Sequence, residues 1–196
     1  MPFQHVKGEI RILAWDDGPF EHKNKGTVPL IGTIYRGCKL LDGLLRTDVD
    51  IDGTDAEEKI ISATNRSKHR GQVRVLMLDG ITFGGFNTVN IKNINKRTGL
   101  PVIVVLRTKP DFKAFESALS RLPHASERSS CMEAAGPVYY TGLKSGRIAF
   151  QIAGIEKSDA ERIIVASTVL GNVPEPLRAA HLIATGIVRG ESIGRA

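Results

Sequence analysis

The order of elements in the 196-residue chain predicts an α/β fold. Its sheet is mixed and five-stranded, three antiparallel strands followed by parallel ones, with helices on both faces. Three observations predict it. Residues 9–51 hold three apolar, β-branched runs whose connections are too short to carry a helix, as in an antiparallel meander. Two later runs, "VRVLMLD" (73–79) and "PVIVVLR" (101–107), are apolar almost throughout, as strands buried on both faces are. Around and after them, apolar residues recur at the three-to-four spacing of helices.

"EIRILAW" (9–15) is the first strand, "TVPLIGTIYRG" (27–37) the second and "KLLDGLLRTDVDI" (39–51) the third, with a turn at Gly37 and a bend at Gly43. Thr54 and Glu57 are spaced as a capping box, opening a helix to about His69. After the fourth strand, "TVNIKNINKRTG" (88–99) reads as a helix closed by Gly99. The fifth strand follows at 101–107, and Asp111 then caps a helix whose Phe112, Phe115, Leu119 and Leu122 form a core-facing stripe. The stretch "PHASERSSCMEAAG" (123–136) reads as the longest loop, and "RIAFQIAG" (147–154) is open to a further strand. Ser158 and Glu161 suggest a second capping box, for a helix to about Leu170. Pro176 suits the first turn of a last helix that turns Leu177, Ala180, Ala184, Ile187 and Val188 inward. The expected organisation is one domain over residues 1–196, without repeats or linkers.

Composition narrows the class. Hydrophobic residues make up 41% and charged residues 24%, the balance of a soluble globular chain. No apolar run approaches the ~18 residues of a membrane span, and "MPFQHVKGEIRI" has no stretch suited to a secretory signal. Two widely separated cysteines, Cys38 and Cys131, fit a reducing compartment, so a cytoplasmic location and no membrane partner are expected. The net charge of +6 suits a polyanion, DNA or RNA, and equally suits plain surface solubility. Oligomeric state leaves no trace in the sequence.

The chemistry sits at two strand ends. In "ILAWDDGPF" (12–20) an apolar strand finishes on Asp16 and Asp17, and in "DGITFGGFN" (79–87) Asp79 follows another. If those strands are parallel neighbours, their ends lie about 4.8 Å apart, where ligands of open α/β sheets bind. Two close carboxylates repel, and a hard divalent cation, Mg²⁺ or Mn²⁺, resolves the repulsion. Further acids stand in "DVDIDGTDAEE" (48–58), among them Asp52 and Asp55. Each acid also has a plain reading. Aspartate before glycine is turn chemistry, Glu57 serves a helix cap, and Asp48 and Asp50 are the solvent-facing half of a strand. Asp17 is open between a supporting acid and a turn residue. Phe83 and Phe86 are open between stacking on a base and packing under their loop. Trp15 points to the face opposite Asp16. Lys92, Lys96 and Arg97 offer positive charge for phosphates.

Together, "ILAWDDGPF", "VLMLDGITFGGFN" and "VPEPLRAAHLIATGIVRGES" resemble an uncharacterised, largely archaeal family known as a domain of unknown function. That family is in turn similar to endonuclease V, a ribonuclease-H-like, Mg²⁺-dependent nuclease acting near deaminated bases. In the endonuclease pattern an aspartate ends the first strand, as Asp16 does. "VDG" ends the fourth, where this chain has Leu78-Asp79-Gly80. A "PEP-x-R-x-A" helix start is matched by Pro174, Glu175, Pro176, Arg178 and Ala180. The resemblance implies a ribonuclease-H-like topology, with the first and fourth strands parallel neighbours. The endonuclease's Pro-Tyr-Ile-Pro wedge has no counterpart before residue 60, and its "F-R-E" acid is replaced by position at Asp55 or Glu58. Its "P-G-H" becomes "AGIE" (153–156), which puts Glu156 beside the histidine position. Inosine specificity is therefore not carried over.

The leading expectation is a metal-dependent phosphodiester hydrolase on nucleic acid. Asp16 and Asp79 are its catalytic, metal-bridging pair, with Asp52, Asp55 and Glu156 as further ligands. The alternative is a non-catalytic nucleic-acid-binding protein on the same scaffold, and a third reading is an enzyme of a small phosphorylated metabolite. Separation of the two acids, or an arginine tying up both, would count against the hydrolase.

Overall fold

Short connections do force the first three strands into a meander. In the computed structural model, which describes residues 9–21, 26–107 and 112–192, β1 (Arg11–Asp17) pairs antiparallel with β2 (Thr27–Arg36), and β2 with β3 (Leu40–Asp50). The register of β2 and β3 shifts between Ile34 and Tyr35, which face Gly43 and Leu41, so Asp42 is the extra residue of a bulge. Its carboxylate is held by Arg11 at 3.0 Å and Arg36 at 3.2 Å. The expected Asp111 cap and the Phe112 side chain lie outside the described residues.

The chain then crosses over through α1 (Ala56–Arg66) to β4 (Val75–Asp79), parallel to β1. The loop after β4 folds on itself as a small ladder of β5 (Thr82–Phe83) and β6 (Asn87–Thr88). Next come α2 (Ile91–Thr98), capped by the Asn90 side chain and closed by left-handed Gly99, and β7 (Val102–Leu106), parallel to β4. After α3 (Phe112–Leu119) and α4 (Ala125–Ala135), the hairpin β8 (Tyr139–Leu143) and β9 (Gly146–Ala153) adds two antiparallel strands. Two helices finish the described chain, α5 (Lys157–Ser167) and α6 (Glu175–Arg189).

The main sheet thus has seven strands rather than five, in the order β3-β2-β1-β4-β7-β9-β8. β9 is the 147–154 run, and β8 is a short Tyr-Tyr-Thr strand that needs β9 to pair with. The expected loop at 123–136 is largely α4. That helix has no apolar stripe to betray it. It is pinned instead by buried Arg128, which donates to the backbone carbonyls of Pro123, Phe86 and Asp52.

Neither capping box forms. Asp55 occupies the cap position of α1, the Ala56 N–H is taken by Asn87 Oδ1 at 3.0 Å, and Glu57 accepts from the Asn90 N–H and the Asn93 amide. In α5 the cap position is Glu156, and Glu161 faces Lys157. Along α6, Leu177, Ala180 and Ala184 are buried as expected, whereas in its last turn Ile187 is 47% and Val188 44% exposed.

Side-chain alternation splits the interior in two. One face of the sheet buries Leu13, Trp15, Leu76, Leu78 and Val104 under α1, α2 and α4. The other buries Ile12, Ala14, Met77, Ile103 and Val105 under α5 and α6. Trp15 does face away from the side of Asp16.

Candidate active site

The same alternation places the charged residues. In β1, Ile12 and Ala14 point toward α6, and two residues on so does Asp16. In β4 the series is Val75, Met77, Asp79, and in β7 it is Ile103, Val105 and then Arg107. Trp15 pairs with Leu78, and Asp79 with Val105. At the ends of three neighbouring parallel strands, Asp16 and Asp79 therefore stand side by side in register and Arg107 stands two residues beyond Val105, the partner of Asp79, all on one face, and α6 lays His181 over them.

One Arg107 nitrogen, Nη2, lies 3.2 Å from Asp16 Oδ2 and 2.5 Å from Asp79 Oδ2. His181 Nδ1 is 3.0 Å from the same Asp16 oxygen. Asp16 Oδ1 accepts the Asp17 N–H at 2.9 Å. Asp17 points to the other face, where its Oδ2 accepts the Gly84 N–H at 2.9 Å and fixes the loop after β4.

Only 4% of Asp16 is exposed, so its charge is poorly solvated. Burial, then the charges of Asp79 and Asp17, push its pKa well above the usual carboxylate range despite Arg107. Burial pushes Asp17 up to about 6, against the pull of the Gly84 hydrogen bond. Burial and then Arg107 lower His181 from its ordinary value, which favours neutral imidazole. One guanidinium does bridge both acids, yet buried Asp16 still holds a proton more tightly than a free carboxylate does.

An open cavity of about 580 Å³ lies against these groups. It continues round the strand ends to the opposite face, where Phe115, Met132 and Gln151 line it.

The other expected ligands are elsewhere. Asp52, in the left-handed region at φ 53°, accepts the Phe86 N–H at 2.9 Å. Asp55 accepts from Asp50 N–H and from the Asn87 amide. Both shape the loops beside the cavity, and neither lines it. Glu156 follows Ala153, which pairs with Val102 at the start of β7, so it stands at the end of the sheet away from Asp79. Glu58 is tied to Arg97. Among the described residues no three His, Cys, Asp or Glu side chains are arranged to hold one metal ion.

Phe83 is fully buried in the core, so its packing reading holds and stacking is excluded. Phe86 packs on Phe115, ring centres 5.4 Å apart. Lys92, Lys96 and Arg97 are exposed on α2. Lys96 and Arg97 occupy its last turn, toward the start of β7 and away from the acids.

Sequence reasoning passed over Arg107 and His181. Arg107 ends an apolar strand as the two aspartates do, and His181 directly follows the "PEP-x-R-x-A" stretch; those were the available signals.

Residues 8–188 match the model of the family described as Endonuclease dU. The chain belongs to that family. A UPF0215 protein of Methanothermobacter thermautotrophicus is 48% identical over 195 residues, 99% of this chain and 95% of that one. The crystal structure of a protein of unknown function from Archaeoglobus fulgidus superposes with a TM-score of 0.83 at 40% identity, covering 92% of this chain and 99% of that one. Endonuclease V of Ciona intestinalis, in complex with DNA containing an inosine, superposes with a TM-score of 0.58 at 11% identity, covering 87% and 82%. At that identity the likeness is one of fold. The archaeal, endonuclease-V-like resemblance of the three sequence stretches thus holds. Among the described residues no helix is long and apolar enough to cross a membrane.

Proposed function

We propose that the chain is an endonuclease that hydrolyses phosphodiester bonds in nucleic acid, with Asp16 and Asp79 at the reacting centre. The observation that carries this reading is their convergence with Arg107 and His181 at a cavity mouth. The family's description supports the reaction class and points to deoxyuridine in DNA. The Ciona endonuclease, bound to DNA, supports nucleic acid as the partner of this fold.

A divalent cation fits the donor set. Two hard carboxylates within 3.2 Å of a single nitrogen, one of them holding its proton unusually tightly, form a site short of positive charge. Mg²⁺ needs only one or two carboxylates and completes its shell with water and phosphate oxygens, so Asp16 and Asp79 suffice without Asp52, Asp55 or Glu156. When bound, Mg²⁺ or Mn²⁺ supplies an activated water and charge stabilisation for the leaving oxygen. Asp16 and Asp79 would hold such an ion with carboxylate oxygens that Arg107 now contacts.

The chain's own groups do the rest. Arg107 offers a planar fork of donors suited to a phosphate. His181 Nδ1 lies 3.0 Å from Asp16 Oδ2, and in the tautomer that donates there Nε2 keeps a lone pair on a neutral ring, able to take a proton from water.

The test is cleavage of a uracil-containing oligonucleotide with Mg²⁺ or Mn²⁺. Wild type should cut it. Asp16→Asn and Asp79→Asn should not, with unchanged circular dichroism. Equal turnover by either variant overturns the reading. One observation favours the non-catalytic alternative: Arg107 bridges both acids without any metal. That alternative predicts salt-dependent nucleic-acid binding, no product, and no heat on titrating Mn²⁺ into either wild type or Asp79→Asn.

A further inference from the structure

We propose that Gln151 reads the base of the nucleotide held at the acids, and that it selects a lactam edge, a ring N–H beside a carbonyl, as in uracil. The proposal rests on the nuclease reading and names how that site would choose its substrate.

Gln151 is an anomaly on its strand. It pairs with Val104, and so belongs to the face opposite Asp79 and Arg107. Ile148, Ala149, Phe150 and Ala153 around it on β9 are apolar and buried, and Gln151 itself is only 2% exposed. Yet it lines the cavity that Asp16 and Asp79 also line. Its Nε2 donates to the Gly136 carbonyl, just past α4, at 2.9 Å. A carbonyl can only accept, so this contact decides which way round the amide sits. If the hydrogen given to Gly136 is the one trans to Oε1, the second Nε2 hydrogen and Oε1 remain side by side, a donor next to an acceptor. Among the described residues the hydrogen-bond partner of this amide is Gly136.

A fixed amide with those two groups complements an N–H and a C=O on adjacent ring atoms, which can form a bidentate pair with it. Uracil presents that edge at N3–H and its neighbouring carbonyls. The surroundings suit a base rather than a sugar or phosphate, because Phe20, Phe115 and Met132 also line this cavity. Position suits it as well. β9 lies two strands from β4, about 10 Å at the usual strand spacing. That is the reach of one nucleotide from phosphate to base edge. The phosphate would sit on one side of the strand ends and the base would bend round them to the other.

The experiment uses the whole protein and single-stranded DNA carrying uracil, N3-methyluracil or cytosine at one position. Affinity is read by anisotropy with EDTA present, and cleavage separately with Mn²⁺. Wild type should favour uracil over N3-methyluracil by about 10- to 100-fold in both readouts. Gln151→Leu should lose that preference while its melting curve shows a folded protein. Equal treatment of the two bases by wild type overturns the proposal, and so does a preference that survives in Gln151→Leu, which would assign it to steric exclusion. Should Gln151→Leu fail to fold, the wild-type comparison still decides. Absence of cleavage with a retained affinity difference sinks the nuclease reading and sustains the role of Gln151.

Discussion

Asp17 shows what the site costs. Folding raises its pKa from 3.8 to about 6, so between those values the folded chain binds more protons than the unfolded one. Stability contributed by this group therefore falls as pH rises through that window. The full loss is about 3 kcal/mol above pH 6. Asp17→Asn, which keeps an acceptor for the Gly84 N–H, should gain nothing in Tm near pH 4 and a growing amount up to about pH 6. Thermal melts at several pH values check this. Arg107→Ala should strengthen Mn²⁺ binding, because the competing guanidinium is gone; calorimetry that finds weaker binding would show that Arg107 instead helps to seat the ion. His181→Ala should slow cleavage by about 100-fold while leaving oligonucleotide affinity intact. Asp16 and Asp79 could be picked out in the sequence because an acid closing an apolar strand is out of place there. Arg107 closes a strand too, but a long cationic side chain at a strand end can reach water and raises no question. His181 lies in an amphipathic helix, where a polar residue every few positions is ordinary.

At the scale of elements, local patterns were overruled by distant partners. Both capping boxes have the right residues at the right spacing. For α1, however, Asn87 reaches across from β6, accepting from the Ala56 N–H and donating to the Asp50 carbonyl and the Asp55 carboxylate. Asn87→Ala strands these groups together and should cost about 1–3 kcal/mol, read as a lower midpoint in urea unfolding. It should also loosen the loop that Asp17 and Asp52 hold. The α4 helix was invisible for a related reason. Its anchor is one buried arginine binding three carbonyls, and no periodic pattern announces such a contact. Strands with continuous apolar runs, β1, β4 and β7, were legible because burial on both faces leaves no choice of residue.

At the scale of the molecule, the net charge of +6 makes association with a polyanion dependent on ionic strength. Oligonucleotide affinity should drop between about 50 and 200 mM salt, with a log–log slope near −0.7 per phosphate neutralised. A flat response would exclude phosphate contacts as the source of binding. The meander, the crossover helices and the parallel centre of the sheet were readable in order. The β8–β9 hairpin was not fully so, since a five-residue strand with exposed alternate positions looks like a loop until its partner is known. β4 enters between β1 and β7 only after the meander and α1 are complete. A chain emerging from the ribosome with β1 to β3 alone carries Asp16 without Asp79, and no register of those strands can furnish that companion. The Asp16–Asp79 pair thus comes into being together with the central sheet, and a half-made molecule has no assembled site.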